Sequence, residues 1–160
     1  MSKESLQQAL EPMMSMINGL DLTSAYTAQE KLNDSFPVTE LQEIKDLCIQ
    51  GLNAGWLCPR TAPNLQYGRL IKSQKNGDVG IDTVYMPGTK KKCEGPGHEH
   101  PQGEVDLCFT TAGNALFDGN QEGWTVYPPK SWHVPTVSEG DMIILYFLPN
   151  GSIRFGAKES

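Results

Sequence analysis

At 160 residues the chain has room for one sizeable core, and 38% hydrophobic with 20% charged residues is the balance of a folded globular protein, not a disordered one. A net charge of −6 sets its surface against phosphate backbones and anionic lipid, so neither nucleic acid nor membrane is expected as a partner. The basic run Lys90-Lys91-Lys92 is too short to reverse that and reads as a solvated loop. The N-terminus "MSKESLQQALEPMM" lacks the charged-then-apolar order of a signal peptide. The longest apolar run, "MIILYFL" at 142–148, cannot span a bilayer, and the four cysteines show no CxxC pairing. The expected compartment is the reducing cytoplasm.

In chain order, Leu6, Leu10, Met13, Ile17 and Leu20 share one face of a first helix, with Met13, Met14 and Met16 as core filler. A second helix is expected over about 24–33, ending before Pro37. A third has the stripe Leu41, Ile44, Leu47 (or Cys48) and Leu52, with Thr39 and Gln42 as a capping box, and fades at Gly51 and Gly55 before Pro59. From about residue 65 the pattern changes to strands. "LQYGRLIKS" and "VGIDTVYM" flank a hairpin turn at Asn76-Gly77. "EVDLCFT", "NALFDG", "WTVYPP", "HVPTV", "DMIILYFL" and "IRFG" follow, with a tight turn at Pro149-Asn150-Gly151. Asp118-Gly119 reads as another turn, and Cys108 and Phe109 as barrel filling. Short strands so spaced predict a β-sandwich or jelly-roll barrel. The expected organisation is one domain, 1–160, with a helical segment over 1–57 and a β-barrel over 65–157.

The chemistry concentrates in "GHEHPQGEVDLCF". Side chains at i and i+2 of a strand share a face, so His98 and His100 point together, and Glu104 joins them if a bend at Pro101–Gly103 carries the chain round. Imidazole and carboxylate are donors for a divalent transition ion. The chain has only three histidines, and the last, His133, follows a strand and the proline turn "YPPKSWH". His98, His100, Glu104 and His133 are therefore the candidate metal ligands.

These two segments resemble the cupin superfamily: His-x-His, three residues and Glu in the first motif, Pro128, four residues and His133 in the second. Lys130 stands where the second motif carries glycine. The resemblance implies a cupin-like jelly-roll barrel around one divalent metal ion, with Mn, Fe, Zn, Ni and Cu all compatible. The longer run "HEHPQGEVDLCF…GNALFDGNQEGWTVYPPKSWHVPTVSEGDMIILYFLPNGSIRF", with "CPRTAPNLQYGRL" before it, is similar to the 4-hydroxylaminobenzoate lyase family. That resemblance implies a lyase of bacterial nitroaromatic degradation, converting 4-hydroxylaminobenzoate to 3,4-dihydroxybenzoate (protocatechuate) and ammonia. The conversion has no net redox change and needs no nucleotide cofactor, and the chain has no Gly-rich nucleotide loop.

For that reaction Glu104 is the expected proton shuttle, beside or instead of its ligand role, and Tyr127 a catalytic hydroxyl. A small aromatic carboxylate needs a cation, for which Arg69 and Arg60 are candidates and Arg154 a third, each with a surface ion pair as its alternative role. Tyr67 and Trp132 are expected to wall the substrate pocket. Open strand edges suit a homodimer. The competing readings are another metal-dependent cupin enzyme, such as a dioxygenase, and a non-catalytic small-molecule-binding cupin.

Overall fold

The computed structural model describes residues 2–73 and 78–158. Four helices come first: α1 (Lys3–Ala9), α2 (Glu11–Asn18), α3 (Ala25–Ser35) and α4 (Gln42–Ala54). The single first helix of the sequence reading is two. Pro12 has no N–H to donate to the carbonyl four residues back, and the chain turns at Leu10 so that the proline falls in the first turn of α2, where that loss costs nothing. The apolar stripe survives the break, because Leu6, Leu10, Met13 and Ile17 are all buried.

The expected capping box does not form. Thr39 lies in a short 3₁₀ turn, Val38–Glu40, Leu41 occupies the cap of α4, and the Gln42 amide donates to Asp46 at 2.8 Å instead of reaching back. At its other end α4 stops at Gly55, whose left-handed φ of 88° lets its N–H turn back to the Gly51 and Leu52 carbonyls.

Among the described residues ten strands follow: β1 (Arg60–Thr61), β2 (Gln66–Ile71), β3 (Val79–Pro87), β4 (Cys93–Glu94), β5 (His98–His100), β6 (Glu104–Phe117), β7 (Gly123–Tyr127), β8 (Ser131–His133), β9 (Thr136–Pro149) and β10 (Arg154–Phe155). β2 and β3 pair antiparallel as the hairpin reading requires, though its turn at Asn76-Gly77 lies outside the described residues. The large sheet runs β1-β2-β3-β9-β6-β7 with β4 on the end of β9, and the small one runs β10-β5-β8. All pairings are antiparallel. The chain is mainly β, with antiparallel sheets and an α-helical N-terminal segment, as expected.

Two pairs of expected strands are single long ones. "EVDLCFT" and "NALF" are both β6, and the segment ending in Val137 continues through "DMIILYFL" as β9. The two strands stay paired across register shifts at Thr110/Ala112 and Gly113/Leu116. Small residues make this possible: a Cβ on Gly140 would stand 2.2 Å from the Ala112 carbonyl oxygen. Such bulges bend long strands without ending them, which is how a sheet curls toward a barrel.

Strand alternation divides the large sheet into two faces. Leu70, Ile81, Val105, Leu107, Ile143 and Phe147 turn outward and form one core with the helices. Met86, Cys108, Ile144, Tyr146 and Leu148 turn inward and form the second. Cys108 fills the barrel as expected, whereas Phe109 belongs to the core under the helices. Hydrogen bonds tie the helical segment down: the Gln7 amide donates to the Leu70 carbonyl at 2.8 Å, and the Trp124 indole to the Phe36 carbonyl at 2.9 Å. On edge strand β7 the outward N–H of Val126 donates to Gln29 at 2.9 Å, so α3 closes that edge.

Candidate metal centre

β5 carries His98 and His100 on one face, and Glu99 between them points the other way to an ion pair with Arg154 at 2.7 Å. β8 lies antiparallel beside β5 with His133 directly opposite His98, which brings their Nε2 atoms to 3.1 Å. Glu104 arrives from the large sheet. After His100 the chain turns through Pro101–Gly103, where the Gly103 N–H donates to the His100 carbonyl, and β6 starts at Glu104 with its side chain inward. Gly103 has a φ of +92°, and a Cβ there would approach Leu22 Cδ1 to 2.9 Å. Gly103→Ala is therefore expected to destabilise by about 1–3 kcal/mol, read as a lower urea midpoint.

Glu104 Oε1 lies 3.0 Å from His98 Nε2, and its Oε2 lies 3.3 Å from His100 Nε2 and 3.5 Å from His133 Nε2. All four donor atoms fall within 4.8 Å of one another. Atoms each about 2.1 Å from a common ion stand about 3.0 Å apart at right angles and about 3.4 Å apart in a tetrahedron. The set has that spacing. Each imidazole is also oriented from behind through Nδ1: His98 by the Pro96 carbonyl at 3.2 Å, His100 by the Ser131 hydroxyl at 2.8 Å, and His133 by Asp118 Oδ2 at 2.6 Å. When an ion takes the place of the Nε2 protons, donor bonds at Nδ1 hold each ring in the tautomer that binds metal.

Two buried atoms at the focus, His100 Nε2 and Glu104 Oε2, make no hydrogen bond among the described residues. Orphaned polar atoms are costly when buried, and a cation satisfies both at once. The charge balance agrees. Burial pushes the Glu104 carboxyl up, but the imidazoles of His100, His133 and His98 gathered around it outweigh that and hold it well below the usual carboxylate range. Burial pulls His133 down, yet its hydrogen bond to Asp118 and the Glu104 carboxylate beside it carry it up to about 9. An ionised carboxylate enclosed in the barrel thus draws positive charge onto its surroundings. The donor set fits one divalent ion.

A cavity of about 660 Å³ opens beside this cluster. His98 and Tyr146 form part of its wall, with Leu65, Val84, Met86 and Phe155 among its apolar lining. Of the residues expected to hold substrate, Tyr67 lines it; Arg69, Arg60 and Trp132 do not. Arg69 shares a strand face with Tyr67 but is bonded to Asp82 at 2.9 Å, and Asp82 does line the cavity. Arg60 is the register partner of Tyr67 on edge strand β1, exposed, with no ion pair among the described residues. Trp132, between two inward neighbours on β8, turns outward to donate to the Gly156 carbonyl at 2.8 Å. Arg154 is held by Glu99. Tyr127 stacks on His100 with centroids 5.1 Å apart, but its hydroxyl is engaged by Asp118, and burial with that contact pushes its phenol far up.

Three further side chains belong to the site. Asp118 does sit in a turn, with φ 49°, and its carboxylate also takes the His133 Nδ1, the Tyr127 hydroxyl and the Thr136 N–H. Asp106, two residues after Glu104 and so on the same inward face, is fully buried; burial and the charge of Glu104 push it well above the usual range. Tyr146 faces the cavity with its ring centroid 6.0 Å from that of His98. Alternation from Glu104 is the sequence signal for Asp106; Asp118 and Tyr146 carry none of comparable clarity.

The left-handed φ of 66° at Lys130 answers what its replacement of the motif glycine does. The turn keeps the glycine geometry at a cost of about 1 kcal/mol, and the Lys130 N–H donates to the His100 carbonyl at 2.7 Å. The His100 and His133 strands are thereby held together.

A family model described as PnbB, 4-hydroxylaminobenzoate lyase, matches residues 8–155. The chain belongs to the 4-hydroxylaminobenzoate lyase family. Two curated proteins of that name are similar to it: one from Pseudomonas putida is 28% identical over 84% of this chain and 86% of its own, and one from a Nocardioides species is 28% identical over 93% and 94%. Among solved structures, a protein of unknown function with a cupin-like fold from Ralstonia eutropha shares 14% identity over 54% of this chain and 55% of its own, with a TM-score of 0.37. Against the lyase family, the site offers three imidazoles, one carboxylate and an adjoining apolar cavity wide enough for a small aromatic ring. Among the described residues no helix is long and apolar enough to cross a membrane.

Proposed function

We propose that this chain is a metal-dependent lyase that converts 4-hydroxylaminobenzoate and water to 3,4-dihydroxybenzoate and ammonia, in the cytoplasm. The observation that carries the reading is the inward convergence of three Nε2 atoms and Glu104 beside an apolar cavity, in a member of this lyase family. Substrate and water together contain the atoms of the two products, so no external oxidant or reductant enters.

His98, His100, His133 and Glu104 would hold the ion, and their donor set serves Mn, Fe, Ni, Cu and Zn alike. A divalent ion there supplies Lewis acidity toward the N-hydroxyl oxygen or toward water. The apolar wall excludes bulk water and takes the ring. Glu104 lies at the focus, where a carboxylate can accept a proton and return it to the departing nitrogen. Tyr127, committed to Asp118, packs on His100 and His133.

For the substrate carboxylate, Arg60 is better placed than Arg69, because Asp82 already holds the Arg69 guanidinium. Arg60→Ala is expected to raise KM about 10-fold with kcat little changed, and Arg69→Ala to raise it less, both by steady-state kinetics. The reading itself is tested by anaerobic incubation of the metal-loaded protein with 4-hydroxylaminobenzoate. Equimolar ammonia and 3,4-dihydroxybenzoate are expected; a strict requirement for oxygen would instead indicate a dioxygenase.

A further inference from the structure

The register of the large sheet places one polar row across its inner face. Arg69 on β2 pairs with Asp82 on β3, Asp82 with Tyr146 on β9, Tyr146 with Asp106 on β6, and Asp106 with Thr125 on β7. Directly paired residues of antiparallel strands project to the same side, so these side chains stand in line. Tyr146 is the middle member and the one that meets both the cavity and His98.

Its hydroxyl makes no hydrogen bond with any described residue. Buried tyrosines place that hydroxyl against a partner, and this one faces a cavity instead. On the inner face the residues beside it, Ile144 and Leu148, offer nothing polar. Asp82 and Asp106 stand two strands apart, roughly 10 Å, with Tyr146 midway. A para-substituted benzoate lying along the row, its carboxylate toward the β1–β2 rim, would bring its nitrogen substituent toward Tyr146 and His98.

We propose that Tyr146 reads the reacting end of the substrate, donating its phenol hydrogen to the oxygen carried there. This rests on the cavity being the aryl hydroxylamine site. Tyr146 is thus a specificity residue of the site, and the ring without its hydroxyl serves only as a wall.

The test is Tyr146→Phe in the metal-loaded protein, with affinities for 3,4-dihydroxybenzoate and for benzoate measured side by side by calorimetry. Loss of one hydrogen bond is expected to weaken 3,4-dihydroxybenzoate about 10-fold while benzoate, which has no oxygen at that end, changes less than about twofold. Turnover of 4-hydroxylaminobenzoate is expected to fall about 100-fold in kcat/KM, with metal content and melting temperature unchanged. Equal weakening of both ligands, no weakening of either, or no binding of 3,4-dihydroxybenzoate by the unaltered protein overturns the proposal. If the unaltered protein binds both ligands but does not turn over the hydroxylamine, the lyase reading falls and the paired affinities still decide the role of Tyr146.

Discussion

His100→Ala is expected to leave the purified protein without its metal and to lower anaerobic ammonia release from 4-hydroxylaminobenzoate by about 10³-fold. The magnitude follows from losing several kcal/mol of transition-state stabilisation at about 1.4 kcal/mol per factor of ten. His100 is the choice because its Nε2 is the imidazole nitrogen left without a hydrogen bond in the described structure, while His98 and His133 contact each other. The substitution also removes a fully buried ring that stacks on Tyr127 and bonds Ser131. Metal content by mass spectrometry and the thermal midpoint are therefore measured together, and His100→Gln serves as a variant that fills the space. Near-normal metal content in both variants would remove His100 from the ligand set.

Asp118→Ala is expected to weaken metal binding about 10- to 100-fold, although Asp118 belongs to the outer ring of contacts and not to the donor set. Its carboxylate fixes His133 through Nδ1, and without it the imidazole is free to change tautomer and to rotate. The same substitution strands the Tyr127 hydroxyl and the Thr136 N–H, and stability is expected to fall by about 2–4 kcal/mol. Asp118→Asn is the informative companion. Asparagine tolerates the left-handed φ of 49° and keeps one acceptor oxygen, so it preserves the turn and loses less on both scales. Competition with a chromophoric chelator reads the affinity and urea unfolding reads the stability. An unchanged affinity in the alanine variant would mean that the turn alone positions His133.

What could be read before folding depended on how local each signal is. His98 and His100 were legible because a strand puts alternate residues on one face, and His133 because histidine is scarce in this chain. Tyr146 was hidden in "MIILYFL" for a physical reason. β9 is buried on both faces, so the run is apolar throughout and the alternation that would mark its inward side is erased. Asp118 reads as a turn residue, and is one. Its second role exists only because β6 and β8 return to the same place, which no short stretch reveals. The break at Leu10 was legible in Pro12 and lost to an apolar stripe that continues through it. Arg69 and Arg60 read alike as candidate cations, since residue type does not reveal an ion-pair partner; the Arg69 guanidinium is held by Asp82.

The helical segment covers the face of the large sheet opposite Glu104, and its core is continuous with Val105, Leu107 and Phe147. Its contribution to the site is therefore rigidity: strand β6 delivers Glu104 and Asp106 on one side while its alternate residues are gripped on the other.

X-ray absorption at the edges of the first-row transition metals, on protein purified without added metal or chelator, tests the central claim most directly. One divalent ion per chain is expected, with nitrogen and oxygen neighbours near 2.1 Å and the scattering pattern of several imidazoles. Metal-free protein that retains full lyase activity would contradict it.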